Sequence, residues 1–175
     1  KIKNLKLTGS ITNEDYDFMR DKMTSLQRLN LKEVESICTP REYEGNKKEY
    51  IIPGSAFYGM TTLIKCVLPD KLERIENQAF NNTSLTGALL LPEGLKYVAG
   101  FNNTKITSVQ FPSTLEEIGF QAFDWCQSLM TEISFPESLK IIGDYAFDWS
   151  GIQGNLALPR NLESIGEFAF SDCRG

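Results

Sequence analysis

Short bursts of alternating apolar and polar residues recur every 20 to 24 positions through most of the chain. In "ITSVQFPSTLEEIG" the apolar positions are Val109 and Phe111. In "LMTEISFPESLKIIG" they are Ile133 and Phe135. This period of two is the mark of a strand that buries one face. A proline follows each burst and ends the strand, because it has no N–H for a ladder. Ile118-Gly119 and Ile142-Gly143 read as strand-to-turn points where glycine permits a positive φ. An Ala-Phe pair then supplies one small and one large core residue on the way back.

Two independent frames give the same period. Ala-Phe pairs stand at 56–57, 79–80, 122–123, 146–147 and 169–170; prolines stand at Pro69, Pro92, Pro112, Pro136 and Pro159. The wide gap between the second and third pairs holds one shortened unit, "LKYVAGFNNTKI", in which Phe101 replaces the pair. Rungs are expected to begin at Ile2, Leu26, Leu63, Leu85, Ile106, Leu129 and Ile152. A phrase written at constant spacing predicts stacked units, since one coil cannot bury its own apolar face.

Two segments break the rhythm. In "TNEDYDFMRDKM", Thr12 and Asp15 fit a capping box, and Tyr16, Met19 and Met23 share one helical face. A helix is expected over about 13–24. "CTPREYEGNKKEY", residues 38–50, is charged, carries Gly and Pro and has no periodicity; it reads as a surface loop inserted into one coil. The 175 residues thus form one domain: N-terminal coils over 1–37, the inserted loop, and uniform repeats over 51–175. The chain opens at Lys1 without a methionine and stops at "FAFSDCRG", where an eighth rung is due. That reads as a fragment of a longer array, or as an open end able to pair with another chain.

Composition narrows the chemistry. A net charge of −5 argues against nucleic acid and anionic membrane as partners. No apolar run is long enough to insert in a membrane. Histidine is absent, which removes the commonest general base and the His-paired nucleophiles. Cys38, Cys66, Cys126 and Cys173 show no C-x-x-C spacing, so no metal site or cofactor is expected.

The repeats resemble the leucine-rich repeat superfamily. "LQRLNLKEV" and "IKNLKLTGSI" fit the template L-x-x-L-x-L-x-x-N, with Val34 and Ser10 at the Asn position. The later units, of the type LPxxLxxIGxxAFxxC, resemble the BspA-like class. The resemblance implies an α/β repeat solenoid: a right-handed superhelix with a parallel sheet of about seven short strands, one N-terminal helix and mostly short non-helical returns. It also implies an exported or cell-surface location, binding to a protein or glycan, adhesion to host proteins, and no shared catalytic residues. The cysteine after Ala-Phe is present at Cys126 and Cys173 and is Ser150 between them. Two rungs apart, at about 4.8 Å per rung, these cysteines lie beyond disulfide reach. They are expected as free, buried thiols, Cys66 as core, and Cys38 as exposed.

Two candidate binding sites follow. The first is the sheet face, where the resemblance puts the usual ligand surface: Val67, Leu90, Gln110, Ser134 and Ala157, beside Lys65, Ala88, Ser108, Glu132 and Asn155. It can equally be a solvated face. The second is Trp125 and Trp149, at equivalent positions in adjacent coils, suited to a sugar ring or a protein. They can equally be half-buried packing residues. Carboxylates such as Asp124 and Asp148 can approach by stacking, but no cleft is implied, so an enzyme is not expected. Sequons stand at "NNTS" (81–84) and "NNT" (102–104). The expected function is a non-catalytic binding module, with a structural spacer or end-to-end assembly element as the alternative.

Overall fold

A computed structural model gives the fold and describes residues 1–38 and 50–173. The expected inserted loop lies almost wholly outside the described residues, as does the Cys38 side chain. In chain order the elements are β1 (Asn4–Thr12), α1 (Asn13–Lys22), β2 (Arg28–Cys38), β3 (Ile51–Ile52), β4 (Lys65–Val67), β5 (Arg74–Ile75), β6 (Thr86–Leu90), β7 (Tyr97–Val98), β8 (Lys105–Gln110), β9 (Glu117–Ile118), β10 (Ile141–Ile142) and β11 (Ser164–Ile165). Every pairing is parallel. The described residues form a parallel-strand solenoid with one helix and short non-helical returns.

The alternating bursts form the first face. β1, β2 and β4 make a three-stranded sheet and β6 pairs with β8. In the last coils only a bridge between Ser134 and Ala157 remains. The expected seven-stranded face is therefore regular at its N-terminal end and interrupted after β4.

A second sheet was not expected. The residues before each turn, from Ile51–Ile52 to Ser164–Ile165, pair in order β3-β5-β7-β9-β10-β11. Their second members Ile52, Ile75, Val98, Ile118 and Ile142 are fully buried. Between the sheets each Pro-x-x-Leu closes a turn: the Leu N–H donates to the Pro carbonyl, as in Leu95 to Pro92 at 3.3 Å and Leu139 to Pro136 at 3.1 Å. That turn drives Leu72, Leu95, Leu115 and Leu139 into the core.

The glycines after these strands do not serve the expected purpose. Gly119 and Gly143 do not have positive φ. A Cβ on Gly119 would run into the Tyr97 ring, and one on Gly143 would lie 2.9 Å from the Gly119 carbonyl carbon. They are glycines because coils approach closely there. Left-handed φ falls later, at Gln78, Gln121, Tyr145 and Phe168, and again at Asn82, Asn103, Trp125, Trp149 and Asp172. Each return therefore turns two left-handed corners, one on either side of its core Ala and Phe. In the shortened unit Gly100 takes the first corner at φ +84°, with a Cβ position only 2.5 Å from Ala79 N and Glu76 O.

The returns are stitched together by backbone bonds. Phe57, Phe80, Phe101, Phe123 and Phe147 each donate an N–H to the carbonyl of the residue preceding the next coil's phenylalanine, at 2.7–2.9 Å. Their rings stack: Phe57–Phe80 at 5.0 Å, Phe80–Phe101 at 5.1 Å, Phe101–Phe123 at 5.7 Å, Phe123–Phe147 at 5.3 Å and Phe147–Phe170 at 5.4 Å. At the N-terminal end the Tyr16 ring meets Phe57 edge-on at 5.3 Å, so α1 extends the same column.

Candidate functional site

Three residues after each core phenylalanine from Phe80 onward stands a small donor: Thr83, Thr104, Cys126, Ser150 and Cys173; after Phe57 the place is taken by Met60. Cys126 Sγ donates to the Phe101 carbonyl at 3.1 Å and Cys173 Sγ to the Phe147 carbonyl at 3.3 Å. Thr83 Oγ1 donates to the Phe80 carbonyl at 2.8 Å. The column needs a compact donor, which is why Ser replaces Cys in one unit. Both thiols are free, as is Cys66. Cys126 is buried as expected, whereas Cys173 and Cys66 are half-buried. Burial pushes the Cys126 thiol up to about 11 and Cys66 up to about 12, so these are packing residues and poor nucleophiles.

The sheet-face candidates divide among three places. Lys65 and Val67 line a shallow groove of about 400 Å³ with Asn4, Lys6, Arg28 and Asn30. Ala88, Leu90, Ser108 and Gln110 lie on β6 and β8, with Leu90 66% exposed. Glu132, Ser134, Asn155 and Ala157 are exposed on the last coils. The break after β4 opens a cavity of about 360 Å³, walled by core residues such as Leu85, Leu89 and Ile106.

The return side presents a different surface. Trp125 and Trp149 stack at 5.1 Å with planes 8° apart, and Trp125 is 46% exposed. Both hold a left-handed φ, at +56° and +50°. At the other corner, Tyr145 and Phe168 are also left-handed and stack at 5.2 Å. Phe120 meets Tyr145 edge-on at 6.1 Å. Phe120 and Phe168 are exposed. Five aromatic side chains thus cluster at the two corners of the last three returns. Sequence reading found the tryptophans but missed Phe120, Tyr145 and Phe168, whose equivalents in earlier coils are polar.

Behind the tryptophans lie Asp124 and Asp148. Asp124 Oδ2 accepts from Asn102 Nδ2 at 2.7 Å. Burial, then Asp148, pushes the Asp124 carboxyl up to about 6; the Trp125 amide and Asn102 hold it lower than burial alone would. Among the described residues no three His, Cys, Asp or Glu side chains are grouped to hold a metal ion. No helix of the described residues is long and apolar enough to cross a membrane.

The repeat itself decides the family. The BspA-type leucine-rich repeat region matches in six copies, over residues 35–100 and 97–175. The chain belongs to the BspA-type leucine-rich repeat family. This BspA-type chain is also similar to a leucine-rich repeat protein from Bacteroides ovatus ATCC 8483 with a crystal structure at 1.19 Å resolution. Identity is 16% and the TM-score is 0.47, over 82% of this chain and 46% of that one. The match spans less than half the length of the Bacteroides protein. No curated protein matches the chain. BspA-type repeats and their fold are generally non-catalytic, and the proteins that carry them are typically surface-associated.

Proposed function

We propose that this solenoid is a non-catalytic protein-binding module of an exported or cell-surface protein, and that it binds through the aromatic corners of its last three coils. The observation that carries this reading is the backbone under the rings. In earlier coils the second corner is Gly59, Asn82 or Asn103, types that tolerate a left-handed φ. In later coils Trp125 and Trp149 occupy it, although a bulky side chain there costs on the order of 1 kcal/mol or more. Packing does not ask for this, because Trp125 is nearly half exposed and the core is already filled by the phenylalanine column. Strained, exposed aromatic residues mark sites where large contact area serves a partner.

A protein fits better than a glycan. Each stacked indole has one face against the other, which leaves less free ring face for a pyranose to rest on. Adhesion to host proteins is the biological setting that family membership suggests. The test is binding of the chain to immobilised extracellular-matrix proteins and to a glycan array, alongside Trp125→Ala/Trp149→Ala. Protein binding that falls at least about tenfold in the double variant supports the reading. Equal binding by both chains overturns the site, and glycan binding alone overturns the ligand class.

One observation favours a second reading, end-to-end assembly. In the last coil Leu158 and Ile165 are exposed apolar side chains, while Ile142, one coil earlier in the same column as Ile165, is fully buried. Light-scattering mass of this chain, and of one extended past Gly175, separates the two. A dimer in both supports assembly, and a monomer in both removes it.

A further inference from the structure

The residues directly after the core phenylalanines form a side-chain ladder along the solenoid: Asn81, Asn102, Asp124 and Asp148. Asn81 Oδ1 accepts from the Asn102 backbone N–H at 3.1 Å. Asn102 Nδ2 donates to Asp124 Oδ2 at 2.7 Å. A carboxamide can accept from one neighbour and donate to the next, so Asn102 carries the ladder forward. The next donor should come from position 148, but an ionised aspartate can only accept. Asp124 Oδ1 and Asp148 Oδ1 are both buried, and neither has a hydrogen-bond partner among the described residues. Buried polar atoms without partners are rare and costly. The ladder is one hydrogen short at the joint between these two coils.

No cation supplies the deficit. Asp124 is 4% exposed and is faced by Asp148 from the next coil, Cys126 from its own and neutral Asn102 from the one before. Asp148 is faced by Asp172 and Cys173 of the last coil. Among the described residues neither aspartate has a lysine or arginine partner.

The Trp125 N–H donates to the Asp148 carbonyl at 2.9 Å, which sets the two aspartates on adjoining rungs. We propose that the Asp124–Asp148 joint is a proton-binding site: one proton taken up there gives an orphaned oxygen its hydrogen and steadies the two coils behind the Trp125–Trp149 pair. At neutral pH the joint holds two like charges and two orphaned oxygens. Mild acid removes one charge and gives one orphan a donor. The consequence for ligand binding rests on the proposed aromatic site: residues 125 and 149 adjoin the two aspartates in the chain, so the order of that surface follows pH.

The direction in pH follows from linkage. Both carboxyls are raised above the ordinary aspartate value, Asp124 to about 6, mainly by burial. Between the unfolded and folded values the native chain holds more protons than the unfolded one. Its stability through this group is therefore full in acid and is lost as pH rises through about 6.

The test uses thermal unfolding and tryptophan fluorescence of the full chain at about pH 5 and pH 7.5, beside Asp148→Asn and Asp124→Asn. Each substitution installs the missing donor permanently. The expected result is a higher Tm for both variants at neutral pH, by about 2 °C or more. The wild-type gain on acidification should shrink in both, and a fluorescence transition near pH 6 should disappear. A neutral-pH Tm that neither substitution raises overturns the proposal, as does a fluorescence transition that survives them. Neither readout involves a partner. Failure here leaves the aromatic binding site standing, and loss of that site leaves the proton joint standing.

Discussion

Gly143 shows how tightly single atoms govern this fold. A Cβ there would lie 2.9 Å from the Gly119 carbonyl carbon and 3.0 Å from the Phe120 nitrogen, and both are backbone atoms that cannot swing aside. Gly143→Ala is expected to destabilise the protein by about 1–3 kcal/mol through overpacking, read as a lower denaturant midpoint at constant slope. Loss of less than about 0.5 kcal/mol would show that the coils can part at little cost. The sequence marks this glycine by its fixed place after Ile, but not its cause. A repeated glycine reads the same way whether it serves φ or proximity, and only the neighbouring coil distinguishes the two. The same limit hid the left-handed corners. Gln121, Tyr145, Trp125 and Trp149 are not residue types that announce a positive φ.

At the scale of elements, legibility follows the length of the pattern. The helix was readable because cap and face agree: the Asp15 carboxylate accepts the Thr12 N–H at 2.8 Å, and Tyr16 and Met19 are buried. It ends at Lys22, two residues before the expected boundary, with Met23 half-buried. Ten residues are too few for an autonomous helix, so α1 depends on its cap and on the Tyr16–Phe57 contact. Asp15→Ala is expected to cost about 1 kcal/mol. Amide exchange should quicken in α1 and stay unchanged in the later coils; uniform acceleration would contradict a local role. The second sheet was not readable, because a strand of two residues carries no alternation. The interruption after β4 was not readable either. Inward positions there stay apolar, as Leu68 and Leu89 are, while the strands beside them no longer pair. The aromatic corners were half legible: the tryptophans recur as the same residue at a fixed offset, whereas Tyr145 and Phe168 share a position that is Gln121 and Gln78 in earlier coils, and Phe120 stands one residue before it.

Across the whole molecule, stability is set by neighbour contacts along one line, because each coil touches only the coils before and after it. The phenylalanine column makes this testable. Phe101 is fully buried, lies mid-solenoid in the shortened unit and stacks on both Phe80 and Phe123. Phe170 is half-buried in the last coil; Phe147 is its stacked partner, and Phe135 meets it edge-on. Phe101→Ala is expected to cost about 3–5 kcal/mol and to weaken the coupling between the two halves. Exchange should then show separate unfolding of coils before and after the break. Phe170→Ala should fray only the last coil, with the midpoint for the N-terminal coils unchanged. A single cooperative transition with equal losses for both substitutions would mean that the molecule folds as one globular unit, and that the repeat is a feature of sequence and not of energetics. If the two differ as expected, the Asp124–Asp148 joint gains its meaning from position. It sits where the aromatic corners begin, so a proton there tunes the coupling of the binding coils to the rest of the solenoid without altering the core that carries them.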